Sequence, residues 1–532
     1  MPSLSTADHR VSPPRIEIPR DYNAAHDLIA RNLQAGRAGK VAYIDDHGAY
    51  TYGELAERVN RCANALKGLG LRTEERVLLC HLDTIDFPAV FLGAIKAGIV
   101  PIAAITLLMG HDYDYMLRDS RARALVVSAQ LLATIAPVLP RHPQLAHVIV
   151  SGPGADEAHA TQSLAALTAN ASPSFAAAET TCDDACFWLY SSGSTGAPKG
   201  TVHVHSSLIQ TAELYAKPVL GIREDDIVFS AAKLFFAYGL GNALTFPMAV
   251  GATTILMAER ATPPAVIARL TRHQPTIFYG VPTLFAALLA NPELPDRGEL
   301  KLRVCASAGE ALPAEIGRRW TERFGVEILD GLGSTEMLHI FLSNRAGAVR
   351  YGTSGVPVPG YALRIVGDDG EPVGAGEVGE LQINGPTAAM GYWNNREKSR
   401  ATFQGAWTRS GDKYSIDADG RYLYSGRSDD MLKVGGIYVS PIEVEAALVT
   451  HPAVLEAAVI GRADDEELVK PLAYVVLKRG QAPSGALADE LRQHVKAHLA
   501  PYKYPRWIEF IDELPKTATG KIQRFKLRAR AG

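Results

Sequence analysis

From residue 51 onward, short apolar runs alternate with amphipathic stretches. Residues 76–82 (RVLLCHL) read as a buried strand, 87–97 as a helix and 124–128 as a second strand. The rhythm returns at 253–257 (TTILM) and 275–280 (PTIFYG). Strands separated by helical stretches predict an α/β fold with largely parallel sheets. After residue 351 the runs shorten between Gly-rich turns, which predicts a β-rich subdomain. A polar stretch at 426–430 (GRSDD) then precedes a helix at 442–449 and a strand at 472–477, the outline of a small α+β domain. The Ala-, Ser- and Thr-rich segment 154–180 predicts a surface excursion.

At 532 residues the chain is too long for one hydrophobic core, and the change in pattern divides it into 1–426, a connection at 427–430, and 431–532. Hydrophobic residues make up 47% and charged residues 21%, so both parts can bury a core. The net charge of -3, without a long block of one sign, argues against a nucleic-acid partner and for small-molecule partners. Cys62, Cys80, Cys182, Cys186 and Cys305 are odd in number, scattered and free of any Cys-x-x-Cys pair, which points to a reducing compartment without structural zinc. Residues 1–20 are polar and proline-bearing, and no later run of about 20 residues lacks charge or breakers. The expectation is a cytoplasmic protein with no membrane partner.

The strongest chemical signal is 190–200, YSSGSTGAPKG, directly after the apolar run Phe187-Trp188-Leu189. Glycines interleaved with hydroxyl residues let backbone N–H groups converge on an anion, and Lys199 adds positive charge. The spacing is not that of a Walker loop, which ends Gly-Lys-Ser/Thr. Other patterns fall away. Gly374, Gly376 and Gly379 fit Gly-x-Gly-x-x-Gly formally, but they lie between strand-like LRIV and ELQIN, as a hairpin turn would. No Gly-x-Ser-x-Gly elbow of a serine hydrolase occurs. His203 and His205 alternate along an expected strand, and two ligands seldom define a metal site, so they read as structural.

YSSGSTGAPKG, with GLGSTE at 331–336, SGD at 410–412, GRSDDMLKVGG at 426–436 and PKTATGK at 515–521, resembles the adenylate-forming superfamily of acyl-CoA synthetases, adenylation domains and luciferases. The resemblance implies a large N-terminal domain of parallel α/β sheets with a β-rich subdomain, and a small mobile C-terminal domain. It also implies ATP, Mg²⁺ and coenzyme A as cofactors. Ser191, Ser192, Gly193, Ser194, Thr195, Gly196 and Lys199 would cradle phosphates. Lys521 matches the lysine that bridges the acid oxygen and the α-phosphate. Thr335 and Glu336 match the positions that contact the α-phosphate and hold Mg²⁺. Asp412 and Arg427 correspond to ribose ligands. Residues 307–310, with Ala308, Gly309 and Glu310, fall with Asp330 and Gly331 where the family seats adenine. Asp429 sits at the hinge position; rotation there would bring Lys433, Gly435 and Gly436 to the thiol's approach.

Within the superfamily, residues 231–248, 333–344 and 500–506 resemble benzoate-CoA ligases, which implies aromatic acid degradation and an aryl carboxylate substrate. Phe236, Ala237, Tyr238, Gly239, Gly331, Gly333, His339 and Ile340 would then line a short, flat acyl slot. A histidine beside apolar residues is commonly a hydrogen-bonded core side chain, so His339 carries two readings. One departure is visible: VPIAAITLL at 100–108 places Ile105 after Ala104 where the family tends to have asparagine, and Met109-Gly110-His111 also differ. A carrier-loading adenylation domain, a short-fatty-acid enzyme and a homodimer stay open. A non-catalytic acyl-adenylate sensor could have lost Lys521 or Glu336, and both are present.

Overall fold

The computed structural model describes residues 2–153, 161–191, 198–428, 430–434, 437–464, 468–499, 503–516 and 522–531. In it the apolar runs become two largely parallel sheets. One holds Arg76–Cys80 between Val100–Ala103 and Ala124–Ser128, continued by His147–Ser151 and Thr161–Ser163. Ala185–Ser191 joins this sheet parallel to Val100–Ala103 and pairs antiparallel with Lys199–Val204. The other sheet runs Ile328–Gly333, Val304–Ser307, Ile277–Gly280, Ile227–Ser230, Thr253–Ile255 and Val41–Ile44 in parallel, with Ile340–Ser343 antiparallel beyond Ile328–Gly333. Parallel strands are covered on both faces, so Ala124–Ser128 is buried at every position instead of alternating.

Helices cover these strands by local rules. Tyr52–Gly68 starts at a capping box in which Thr51 and Glu54 satisfy each other's backbone donors. It crosses Asp86–Lys96 closely: a Cβ at Gly93 would lie 2.7 Å from Cys62 Cβ and 2.9 Å from the Val59 carbonyl, so only glycine fits there. Within segment 154–180, residues 161–169 are more ordered than the composition suggests. They add the strand Thr161–Ser163 and the helix Leu164–Ala169 to the first sheet.

Packing divides the chain into two compact units. The first comprises Met1–Ala362 and Ile383–Thr408, and the second Leu363–Gln382 and Arg409–Gly532. Residues 363–382 and 409–426, read from the sequence as the end of the larger domain, therefore pack with the C-terminal segment. In the second unit, residues 412–416 pair antiparallel with Tyr422–Arg427, and Val454–Ala463, Val469–Leu477 and Trp507–Phe510 form a separate sheet. Helices Pro441–Val449 and Gly485–His498 close on that sheet through Val444, Leu448, Leu491 and Val495. Gly374 and Gly376 lie in the connection between Ala362–Val366 and Gly379–Asn384, without a helix.

The two histidines need a correction. The strand Lys199–Val204 ends before His205, which is instead the first residue of the helix His205–Thr211. His205 Nδ1 accepts the Ala24 N–H at 3.1 Å, and burial pushes its pKa down to about 4. A histidine whose folded pKa is depressed leaves the unfolded chain to take up the proton first, so its contribution is complete above pH ~6.5 and lost as pH falls toward the folded value. His205→Gln keeps an acceptor and removes the titration. The stability gap between wild type and variant should narrow by about 1.4 kcal/mol per pH unit between pH 6.5 and 5, read from urea unfolding. A constant gap would show that His205 does not titrate differently on unfolding.

Candidate active site

The site in the first unit is built where two strand hairpins end. Ser191 and Lys199 are partners at the open end of the first, and 192–198 connect them. The strand Ile328–Gly333 turns back through 334–339 into Ile340–Ser343. Leu338 holds that turn at φ 67° while only 2% exposed, a conformation unusual for a bulky side chain.

Glu336 is the electrostatic centre. Its Oε1 accepts the Tyr392 hydroxyl at 2.7 Å and stands 3.5 Å from Ser191 Oγ and 4.0 Å from Lys199 Nζ. Lys199 Nζ also lies 4.5 Å from the centroid of the Tyr392 ring. A carboxylate and an ammonium, each about one-sixth exposed, are thus held close together at the ends of the strands Ala185–Ser191 and Lys199–Val204. Behind them His203 Nε2 donates to the Thr335 carbonyl at 2.8 Å, and the Ala389 N–H donates to the Glu336 carbonyl at 2.8 Å. Among the described residues no cluster of three or more His, Cys, Asp or Glu side chains could hold a metal by itself. One carboxylate completed by phosphate oxygens and water is the donor set that Mg²⁺ uses, so Glu336 fits that ion with bound ATP.

Tyr392 lies 56 residues from Glu336 and carries no local sequence signal. Tyr392→Phe removes a hydrogen bond to a charged group, an interaction of about 1.5–3 kcal/mol. Acid-dependent ATP–pyrophosphate exchange should fall by about tenfold or more in kcat, with KM for the acid little changed. Unaltered exchange would show that Glu336 is held well enough without it.

Asp330 is the register partner of Ser307, which leads into Ala308, Gly309 and Glu310. It is 6% exposed, and its Oδ1 has no hydrogen-bond partner among the described residues. Burial pushes its pKa well above the usual carboxyl range. A buried acceptor left alone is costly, and a donor such as the exocyclic amine of adenine would satisfy it. Gly309 takes φ 94°, a left-handed turn that glycine adopts without strain.

Of the residues expected at the acyl slot, Tyr238 and Gly333 lie against His339. Phe236 precedes the short helix Ala237–Leu240, which continues through the wide turn Gly241–Thr245 into Phe246–Val250. The imidazole centroid lies 4.5 Å from that of Phe246, 5.4 Å from Tyr215 and 5.6 Å from Tyr238. Its Nε2 is 3.2 Å from both the Tyr238 carbonyl and Asn242 Oδ1, so this nitrogen carries the hydrogen and Nδ1 is a bare acceptor. Nδ1 and the Tyr238 hydroxyl are both buried without a partner among the described residues. Burial pushes the histidine pKa down to about 3, which keeps the ring neutral. A Cβ at Gly241 would overlap this ring, and a Cβ at Gly333 would come within 2.8 Å of the His339 backbone, so glycines set the closeness of the walls. Both readings of His339 thus find support: it is 2% exposed and hydrogen-bonded, yet its second nitrogen is unsatisfied. Tyr215, Asn242 and Phe246 join the wall from positions with no signal of their own.

Asp412 and Arg427 belong to the second unit, where they are register partners on adjacent strands and Arg427 donates to Asp412 Oδ1 at 3.1 Å. Lys433 lies in the strand Leu432–Val434. Ser192, Gly193, Ser194, Thr195, Gly196, Asp429, Gly435, Gly436 and Lys521 lie outside the described residues.

Glu336 held beside Lys199, with a buried Asp330 oxygen that has no partner among the described residues, suits a nucleotide-activating site. Residues 30–393 match the AMP-binding enzyme family, and residues 443–521 match the AMP-binding enzyme C-terminal domain. The chain belongs to the AMP-binding enzyme family. It is 67% identical to a benzoate–CoA ligase from Thauera aromatica, over 99% of this chain and all of that one. Among solved structures it resembles a benzoate CoA ligase from Burkholderia xenovorans LB400, with 59% identity and a TM-score of 0.88 over 95% of this chain and 100% of the other. An anthranilate CoA ligase in complex with anthranoyl-AMP shares 47% identity and a TM-score of 0.91, covering 97% and 98% of the two chains. The α/β architecture is the one those enzymes share.

Proposed function

We propose that this chain is an AMP-forming acid–thiol ligase that joins benzoate, or a closely related aryl carboxylate, to coenzyme A. The observation that carries the reading is one strand–turn–strand unit, Ile328–Gly333 to Ile340–Ser343, which holds Asp330, Thr335, Glu336 and His339 together. The proposed nucleotide contacts and the aromatic surroundings of His339 thus share one strand–turn–strand unit.

In the first step a carboxylate oxygen attacks the α-phosphorus of ATP; a P–O bond forms, the α–β anhydride bond breaks and pyrophosphate leaves. Lys199 and the backbone of the glycine-rich loop hold the phosphates, and Thr335 contacts the α-phosphate. Glu336 would hold Mg²⁺, which supplies charge neutralisation of the phosphates when bound. Lys521 brings a second positive charge between the two reacting anions. In the second step the coenzyme A sulfur attacks the acyl carbon, AMP departs with the C–O electron pair and the thiol proton is released. Asp412 and Arg427 hold the ribose. The second step requires rotation of 431–532 on 1–426 about 427–430, which exchanges Lys521 for Lys433, Gly435 and Gly436. The aromatic rings of Phe246, Tyr215 and Tyr238 around His339 support an aryl ring over an alkyl chain. Among the described residues no helix is long and apolar enough to cross a membrane, and the cytoplasm is the proposed location.

A coenzyme A-dependent AMP-release assay across benzoate, 2- and 4-substituted benzoates and short fatty acids tests this reading. Benzoate or a near relative should turn over fastest. Hexanoate outrunning every aromatic acid would overturn the substrate, and pyrophosphate exchange without any thioester product would favour a carrier-loading role.

A further inference from the structure

Three consecutive carbonyls in the turn between Ile328–Gly333 and Ile340–Ser343 are held by residues distant in the chain. His203 Nε2 donates to the Thr335 carbonyl at 2.8 Å, the Ala389 N–H to that of Glu336 at 2.8 Å, and Thr387 Oγ1 to that of Met337 at 2.7 Å. Neither side-chain donor is needed to satisfy its carbonyl. Within the turn the Leu338 N–H already donates to Thr335 at 3.2 Å, and the His339 N–H to Met337 at 2.8 Å. The added donors instead fix direction. They act on a turn in which Leu338 sits at φ 67°, a conformation that persists only where surrounding contacts over-determine it.

Both donors are fully buried. Side chains alternate along a strand, so Lys199 and His203 share one face of Lys199–Val204. That face meets the Glu336 carboxylate through Lys199, at 4.0 Å, and the Thr335 main chain through His203. The imidazole stacks on its register partner Phe187, 5.3 Å between centroids. With Nε2 donating, Nδ1 is left buried without a partner among the described residues. A leucine would fill this apolar place without an orphaned nitrogen, so packing alone does not account for a histidine here. Thr387 has one hydroxyl hydrogen and gives it to Met337, so in its 2.8 Å contact with the Tyr361 hydroxyl it is Tyr361 that donates.

We infer that His203 and Thr387 are positioning residues for acyl-adenylate formation: they hold the Thr335 and Met337 carbonyls so that the strained turn presents Thr335 and Glu336 to the nucleotide phosphates beside Lys199. The inference rests on the ligase reading for the reaction it serves.

The experiment compares His203→Leu and His203→Gln with the parent chain. Thr387→Val and Thr387→Ser are made in a Tyr361→Phe background and compared with it, so that no buried hydroxyl loses its acceptor. His203→Leu and Thr387→Val should lower kcat for benzoate-dependent ATP–pyrophosphate exchange about tenfold, with KM for benzoate within about twofold of the reference. His203→Gln, whose amide nitrogen reaches about as far as Nε2, and Thr387→Ser each keep a donor and should recover most of the loss. The urea midpoint of His203→Leu should equal or exceed that of the parent. Amide hydrogen exchange across 334–339 needs no substrate; it should accelerate about tenfold in His203→Leu and Thr387→Val and return to the reference rate in His203→Gln and Thr387→Ser. Losses as large in His203→Gln as in His203→Leu, unchanged exchange of either kind in His203→Leu or Thr387→Val, or a fall in urea midpoint in step with the activity would each overturn the assignment. Absence of benzoate-dependent pyrophosphate exchange in the parent would instead reject the ligase reading, and the hydrogen-exchange arm would still decide whether the two side chains hold the turn.

Discussion

Lys521→Ala is expected to lower acyl-adenylate formation by about 10²–10³-fold, the usual cost of losing one electrostatic contact made in a transition state. Thioester formation from supplied benzoyl-adenylate should change by less than about tenfold. The asymmetry follows from the charges. In the first step a carboxylate approaches a phosphate, and a cation between two anions is what lowers that barrier. In the second step a thiol meets an already neutral acyl carbon with a good leaving group attached. Lys521 itself lies outside the described residues, but the chain on both sides of it is anchored within the second unit. Lys516 and Ile522 form a bridge, the Gln523 N–H donates to the Pro515 carbonyl at 2.8 Å, and Arg524 makes two 2.8 Å contacts to Glu445. Separate measurement of ATP–pyrophosphate exchange and of single-turnover thioester formation distinguishes the steps. Equal losses in both would reject the assignment of Lys521 to the first step alone.

Asp429→Pro should show the opposite split. Proline fixes its own φ near −65° and disfavours the helical region for the residue before it, so two successive backbone positions at the proposed pivot lose their freedom. The flanking residues are already engaged: Ser428 Oγ donates to Glu380 Oε2 at 2.6 Å, and the Asp430 N–H donates to the Arg427 carbonyl at 3.0 Å. Adenylate formation should stay within about twofold to fivefold of wild type, while the thioester step slows by about 10²-fold. Benzoyl-adenylate should then accumulate in the quenched reaction. Unchanged overall turnover would remove residue 429 from the role of pivot.

The elements of this fold were readable in proportion to how local their causes are. Buried parallel strands announce themselves as apolar runs, and 76–82, 124–128 and 275–280 correspond to Arg76–Cys80, Ala124–Ser128 and Ile277–Gly280. A capping box or a glycine turn likewise needs only its own few residues. His205 shows where this fails: alternation extended one residue too far, because the switch from strand to helix depends on Asp184, whose carbonyl accepts the His205 N–H at 3.2 Å. Tyr392, Asn242 and Tyr215 escaped notice for the same reason, since nothing next to them in the chain requires a tyrosine or an asparagine.

Residue order alone determined the alternation of strand and helix, the glycine-rich anion loop, and the presence of Lys199, Glu336, Asp330 and Lys521 in recognisable motifs. These follow from backbone sterics and side-chain chemistry within a few positions. Only the tertiary structure decided that Tyr392 holds Glu336, and that aromatic rings and Asn242 enclose His339. Such contacts join residues tens to hundreds of positions apart, and their energies depend on burial and distance, quantities that exist only once the chain has folded.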